Sequence, residues 1–371
     1  MHLTMLLQGM KPEDQIGYSD GFQQQVAKGN LSSFAAIPYR GLKSQLDWTL
    51  LWRDVTERIR SSSPSCLFLQ YFHMPGIPDP RPHLQAIKSA SPRTVIVTSI
   101  GDPFDPVWNR PPRSVVRAAS LSDLVLTTSM GRLARWLKRS GAERVSLFPL
   151  SACSVRFGGE LIQEDPVHQV VFIGSRYSGR NPSRVHWRVG RQRSNAVNQL
   201  SRRYGQAFAV YGHNWEGVPS WQGPIAFADQ VRVASRGQVV FGGIPGSRLP
   251  FYASNRPQIQ MLSSKPLVDG FVPGLRNLFG SEESLRTFTT VKEAMREIDV
   301  LLENPDKAAE VGHRARSTVL NHHMSMQRTE TLCEWVQLVS DAKLTGRDIQ
   351  QPASPFMVDT SRLPEPTSLG W

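Results

Sequence analysis

Residues Tyr252–Phe279 read YASNRPQIQMLSSKPLVDGFVPGLRNLF, and the reading of this stretch decides the fold. The apolar spacing from Gln258 to Leu262 predicts a helix, Ser263 and Ser264 break it, and Pro266–Asp269 predicts a short buried strand. Val272-Pro273-Gly274 then predicts a turn that opens another helix. Helix, strand and loop in that order carry the chain across the edge of a parallel sheet. They leave backbone N–H groups beside its carboxyl end, where an anion binds.

Outward from this stretch the same alternation recurs. Leu3–Leu7 predicts a strand, Gly17–Phe22 (GYSDGF) a loop, and the following residues a helix through Lys28. Phe34–Pro38 predicts a second strand and Leu46–Ile59 a helix of amphipathic spacing. Cys66–Phe72 (CLFLQYF) and Thr94–Ile100 (TVIVTSI) are apolar almost throughout, as strands covered on both faces must be. Asp123–Thr127 and Val145–Leu150 predict two further strands, with helices ending near Ala90, starting at Ser114 and spanning Met130–Arg139. After a polar linker, Gly159–Pro166, strands are predicted at Gln169–Ile173, Ala207–Tyr211, Val239–Gly242 and Pro266–Asp269. Helices are predicted at Asn195–Arg203, Val291–Glu303, Asp306–Asn321 and Met326–Lys343.

Parallel neighbours need helical crossovers, so this alternation predicts an α/β protein with doubly wound parallel sheets. At 371 residues the chain is long for a single core. The expected division is a Rossmann-like domain over 1–158, a second over 159–335, and a helix end with a Pro/Ser-rich tail over 336–371. That tail is either disordered or laid across the first domain.

Hydrophobic residues at 40% and charged residues at 20% suit a soluble globular protein. No run approaches the ~18 apolar residues of a membrane span, and the first residues lack the pattern of a secretory signal. Cys66, Cys153 and Cys333 are scattered and form no metal-ligand spacing, so a reducing, cytoplasmic setting is expected. The formal net charge is +12. Codon habit is one explanation for arginine outnumbering lysine, but it does not explain the placement. From Pro166 to Trp215 there is no Asp or Glu, while Arg176, Arg180, Arg184, Arg188, Arg191, Arg193, Arg202 and Arg203 all fall inside. A field of one sign on that scale attracts a polyanion.

Ligands of open parallel sheets bind beyond the carboxyl ends of the strands, so the residues just after each strand matter most. Gly174, Ser175 and Arg176 follow QVVFI and supply a close-approach glycine, a hydroxyl and a guanidinium suited to phosphate, although a tight turn alone would use the same glycine. His213 and Trp215 follow the next strand; Trp215 either stacks on a base or anchors its loop to the core. After Thr94–Ile100 come Asp102 and Asp105, and after CLFLQYF comes His73. Either Asp102 or His73 could take a proton from a hydroxyl, and either could instead satisfy a local hydrogen bond. No GxxxxGK[ST] and no G-x-S-x-G is present. His322 and His323 are adjacent on a helix end and point to different faces, which is poor for a shared metal.

The order arginine, short helix, strand, Pro-Gly-Leu turn in Tyr252–Phe279 resembles the donor-binding segment of GT-B-fold nucleotide-sugar glycosyltransferases, especially the spore-maturation-protein-like and group 1 members. The resemblance extends over residues 66 to 335, and the downstream LLENPDKAAEVGHRARSTVLNHHMS fits it too. It implies two lobes facing across a cleft and a UDP- or GDP-sugar donor, without a metal. Gly174, Ser175, Arg176, His213, Trp215, Arg256, Pro273 and Gly274 would then be donor-side residues. The family glutamate that grips the donor ribose falls, in register, on Ile259, so the carboxylate is missing here; Gln258 or Gln260 could substitute through a slipped register. On the acceptor side the resemblance favours Asp102 as base over His73, with Tyr18, Ser19 and Asp20 contacting acceptor.

The net charge and the acid-free run suggest a hydroxylated base in duplex DNA as acceptor, as with viral DNA-base glycosyltransferases, with Arg180, Arg184, Arg188, Arg191 and Arg193 on its phosphates. Such a base would have to leave the stack to enter the cleft. A surface polysaccharide, protein or small molecule is the competing acceptor, and a non-catalytic binding protein of the same fold is the remaining alternative.

Overall fold

The computed structural model describes residues 1–371 except 73–75, 106–108, 161–163, 177–183, 245–247, 351, 353 and 362–371. Side chains of 184–188 also lie outside the described residues. The strands of the first lobe are β1 (His2–Leu7), β2 (Ser33–Pro38), β3 (Cys66–Leu69), β4 (Val95–Ile100), β5 (Leu124–Thr127) and β6 (Val145–Leu147). They form one parallel sheet in the order β2-β1-β3-β4-β5-β6. The second lobe carries β7 (His168–Ile173), β8 (Phe208–Tyr211), β9 (Trp221–Gly223), β10 (Gly237–Gly243), β11 (Leu267–Gly270) and β12 (Arg286–Phe288). Their order is β12-β11-β10-β7-β8-β9, again all parallel. In each sheet the order reverses beside the first strand, and the switch point opens a crevice at the carboxyl ends. Two doubly wound parallel-sheet lobes is the architecture expected from the sequence.

Each central strand is buried on both faces, which is why it reads as an unbroken apolar run; β3, β4 and β5 have no exposed residue. The two edge strands β9 and β12 have no such run. Each is three residues long and partly exposed. The largest local correction concerns GYSDGF, which is not a loop but part of the helix Ile16–Ala27.

The chain crosses between lobes twice, and the crossings lie side by side. Ala152 N donates to His323 O at 2.9 Å, and Ser325 N donates to Ala152 O at 2.8 Å. The returning helix, Ser325–Thr345, packs on Ile16–Ala27 and ties into the first lobe through Lys343 Nζ to Thr94 O, at 3.0 Å. The return therefore falls at residues 322–325, ahead of the expected boundary at 335. The described part of the tail is laid across the junction. Phe356 is buried against Phe148 and Trp335, and Val358 N donates to Asn277 O in the second lobe at 2.8 Å.

Arg328 binds the crossings together. It is fully buried and donates to Pro149 O (2.8 Å), His322 O (2.8 Å), Leu150 O (3.2 Å) and His323 Nδ1 (3.0 Å), with Phe356 stacked 4.0 Å away. Burial pushes its guanidinium down to about 9. His323 donates from Nε2 to Leu278 O at 2.7 Å, so its Nδ1 is free to accept, and burial holds it well below the ordinary histidine value.

Candidate functional site

The loops after β7 and β8 and the start of the helix Asn255–Met261 meet at Gly174, at the carboxyl end of the second sheet. Its N–H donates to Tyr211 O at 2.9 Å and its carbonyl accepts from Trp215 Nε1 at 2.6 Å, which joins the loop after β7 to the loop after β8. Gly212, with φ +133°, lies so close that a Cβ there would stand 2.6 Å from Gly174 O. Only glycine permits that approach. Arg176 N donates to His213 O at 2.9 Å, and His213 N reaches Ser175 Oγ at 3.4 Å.

Arg256 enters from the helix Asn255–Met261. A Cβ on Gly174 would stand 3.0 Å from one of its terminal nitrogens. Its Nε is buried and unbonded, and the guanidinium makes no hydrogen bond among the described residues. The Ser175 N–H likewise has no partner among them. An unengaged guanidinium beside an unengaged amide is a site for an anion, because either donor left dry costs free energy. Behind them Asp269, at the end of β11, is buried with Oδ1 unbonded. Burial raises its carboxyl to about 6, against the attraction of Arg256, the Gly270 N–H and Arg193.

Several expected donor residues have other duties. Trp215 has no exposed surface and packs edge-on against Phe172 at 5.9 Å, with Arg176 over its ring at 5.9 Å. It anchors the loop and presents no face to a base, whereas His213 is exposed. Gln258 and Gln260 are fully buried, and Gln258 Nε2 donates to Leu150 O at 3.0 Å, which turns it to the crossing and away from any ribose. Gly274 (φ +83°) is glycine because a Cβ would meet Phe251 Cδ1 at 2.4 Å, and Pro273 O accepts from Phe251 N at 2.7 Å. Arg193 is buried and donates to Ser175 O at 3.0 Å, so it supports the cradle and is not available to DNA phosphates.

The remaining basic residues divide. Arg191 is exposed on the helix Arg184–Tyr204, Arg184 and Arg188 lie in its first turns, and Arg180 lies outside the described residues.

A cavity of about 320 Å³ opens between the lobes, lined by Tyr18, Tyr71 and Asp102 on one side and by Phe227, Asn255 and Ile259 on the other. Asn255, the neighbour of Arg256 in the chain, lines it, whereas Gly174, Ser175, His213 and Arg256 do not. Ile259 faces it where the resemblance expects a carboxylate. Of the two acids after β4, Asp105 is buried in an ion pair with Arg132 at 2.9 Å, while Asp102 is exposed and lines the cavity. Tyr18 reaches the cavity, but Ser19 donates to Pro12 O and Asp20 accepts from Gln24, both within their own segment. His73 lies outside the described residues. Among the described residues no group of three or more His, Cys, Asp or Glu side chains could hold a metal, and no helix is long and apolar enough to cross a membrane.

Comparison with known proteins places this geometry. Residues 191–334 match the family model described as glycosyl transferase-like. The match lies in the carboxy-terminal lobe, from the helix Arg184–Tyr204 onward. No curated protein matches the chain in sequence. Among solved structures, Anabaena HepE in complex with UDP and glucose superposes with a TM-score of 0.57 at 14% identity, covering 90% of this chain and 99% of that one. The sucrose-phosphate synthase of Thermosynechococcus elongatus gives 0.56 at 11% identity, covering 92% and 100%. The E. coli trehalose-6-phosphate protein bound with UDP-2-fluoro glucose gives 0.62 at 8% identity, covering 91% and 99%. The fold shared over both lobes is GT-B.

Nothing in the sequence singles out Tyr71, Gln15 or Phe227, which also line the cavity. Tyr71 reads as the continuation of an apolar strand. Arg328 carries no signal either, since an arginine on an amphipathic helix is ordinarily a surface residue.

Proposed function

We propose that the protein moves a sugar from a nucleotide-sugar donor, with UDP as the nucleotide, to a hydroxyl of an acceptor held by the first lobe. The observation that carries this reading is the pair of unengaged donors, the Arg256 guanidinium and the Ser175 N–H, at the switch point of a glycosyl transferase-like lobe. A leaving diphosphate develops charge there, and preorganised donors offset it. Asp102, on the opposite wall of the cavity, is the carboxylate suited to take the acceptor proton. Exposed His213 is left to flank the base. The test is a thermal-shift panel of UDP-glucose, UDP-N-acetylglucosamine, GDP-mannose and UDP on the full chain. A UDP compound should raise the melting temperature, as any ligand that binds only the folded state does. No shift with any nucleotide diphosphate would contradict the reading.

A second reading of the acceptor, a hydroxylated base in duplex DNA, is favoured by one observation. The run from Pro166 to Trp215 carries no acid, and Arg191 is exposed within it. Binding through several phosphates falls steeply with salt. Filter binding of duplex DNA at low salt, lost on raising the salt, would support it, and no binding at low salt would end it.

A further inference from the structure

The first-lobe wall of the cavity is built around a residue held in a costly backbone conformation. Tyr71 sits at φ +48°, in the left-handed region that bulky residues avoid. Such strain persists only where the surroundings over-determine it, and it gathers at ligand sites. The constraints are visible. Tyr39 Oη donates to Tyr71 O at 2.9 Å, and the Tyr71 ring lies so close to Gly101 that a Cβ there would stand 2.7 Å from Cδ1. Tyr18 meets the ring edge-on, with centroids 6.5 Å apart, planes at 88° and hydroxyls 3.5 Å apart. The ring is thereby fixed, partly exposed, against the cavity.

Beside it a hydrogen-bond chain sets the direction of an amide. Gln8 N donates to Gln70 Oε1 at 3.1 Å, and a backbone N–H can meet only the oxygen of that amide. Gln70 Nε2 must then face Gln15, whose Oε1 accepts from it at 3.1 Å. Gln15 is left with its NH2 group, unbonded among the described residues, at the cavity wall. A rigid aromatic face, a directed amide donor and the Asp102 carboxylate make a small pocket with one strongly apolar surface and polar groups at its rim. Phe227, an exposed aromatic at 46%, lies across from them on the second lobe. Arg156 stands over the Phe227 ring at 5.8 Å, the one basic residue among the described residues of a lining otherwise neutral or acidic.

We propose that this pocket is the acceptor subsite, with the Tyr71 ring as platform and Gln15 as hydroxyl reader, and that it takes a neutral, hydroxyl-rich sugar ring. The class follows from the wall. A sugar ring offers a C–H face to the tyrosine and hydroxyls to Gln15 and Asp102, while a nucleotide would bring phosphates to a wall that carries Asp14 and Asp102. The proposal rests on the donor reading above, and the two fail separately.

The experiment is saturation-transfer difference NMR on the full chain saturated with UDP, using neutral methyl glycosides of glucose, galactose and mannose. 5-Hydroxymethyl-2′-deoxycytidine is the competing probe. Transfer to the ring C–H protons of at least one glycoside is expected. Tyr71→Asn, which tolerates the left-handed backbone, and Gln15→Leu should each weaken it about fivefold or more. In both variants the UDP-induced thermal shift should be unchanged. Absence of transfer to every glycoside, transfer only to the nucleoside, or full transfer in both variants would overturn the proposal. Loss of the UDP shift in the unsubstituted protein would instead strike the donor reading.

Discussion

Asp269 and Arg256 show how far single side chains control the donor cradle. The Asp269 carboxyl is raised from an ordinary value near 3.8 to about 6, chiefly by burial. Because the folded form holds its proton more tightly than the unfolded chain, this group costs nothing below pH 4, and stability is lost as pH rises through 6. The loss is about 3 kcal/mol at full ionisation. Asp269→Asn should flatten that part of the stability profile between pH 4 and 6 in denaturant melts, and an unchanged slope would contradict the assignment. The place of Gly174 and Ser175 just past β7 was legible in the sequence because a glycine after a strand marks backbone geometry, whereas Arg256 was expected beside them only through the resemblance. Trp215 was not legible, since a loop tryptophan reads alike whether it faces ligand or core. Only the 2.6 Å bond from its indole to Gly174 O settles which.

At the scale of elements, apolar runs gave away the central strands, because a parallel strand covered by helices has no solvent face to mark with polar residues. The edges β9 and β12 carried no such mark. GYSDGF misled for a different reason. Two glycines four residues apart suggest a turn, yet both sit where the Ile16–Ala27 helix meets the Ser325–Thr345 helix. A Cβ at Gly17 would stand 2.7 Å from Ser325 Oγ, and one at Gly21 2.6 Å from Thr329 Oγ1. Glycine there buys close helix packing. The turn after β11 obeys similar logic, with Gly274 at φ +83° under Phe251. Gly274→Ala should lose about 2 kcal/mol or more through the left-handed backbone and the collision. A melting temperature equal to that of the parent would contradict this.

For the whole molecule, the joint between lobes decides whether both walls of the cavity meet the same ligand. Arg328 supplies four hydrogen bonds at that joint, three of them to carbonyls of the two crossings, and no sequence pattern announces it. Arg328→Met would strand Pro149 O and His322 O in a buried setting, at a cost of about 1–3 kcal/mol each. A clear drop in melting temperature is expected, together with weaker acceptor capture; a variant as stable as the parent would show that the joint is held elsewhere. Transfer from a nucleotide sugar requires that the second lobe grip a diphosphate through Arg256 and the Ser175 N–H. Calorimetric titration of UDP into the full chain and into Arg256→Ala tests it most directly. The account predicts one site per chain, weakened about tenfold or more in the variant, while any binding of uridine is unaffected. Equal UDP affinity in both proteins, or no heat of binding in either, would contradict it.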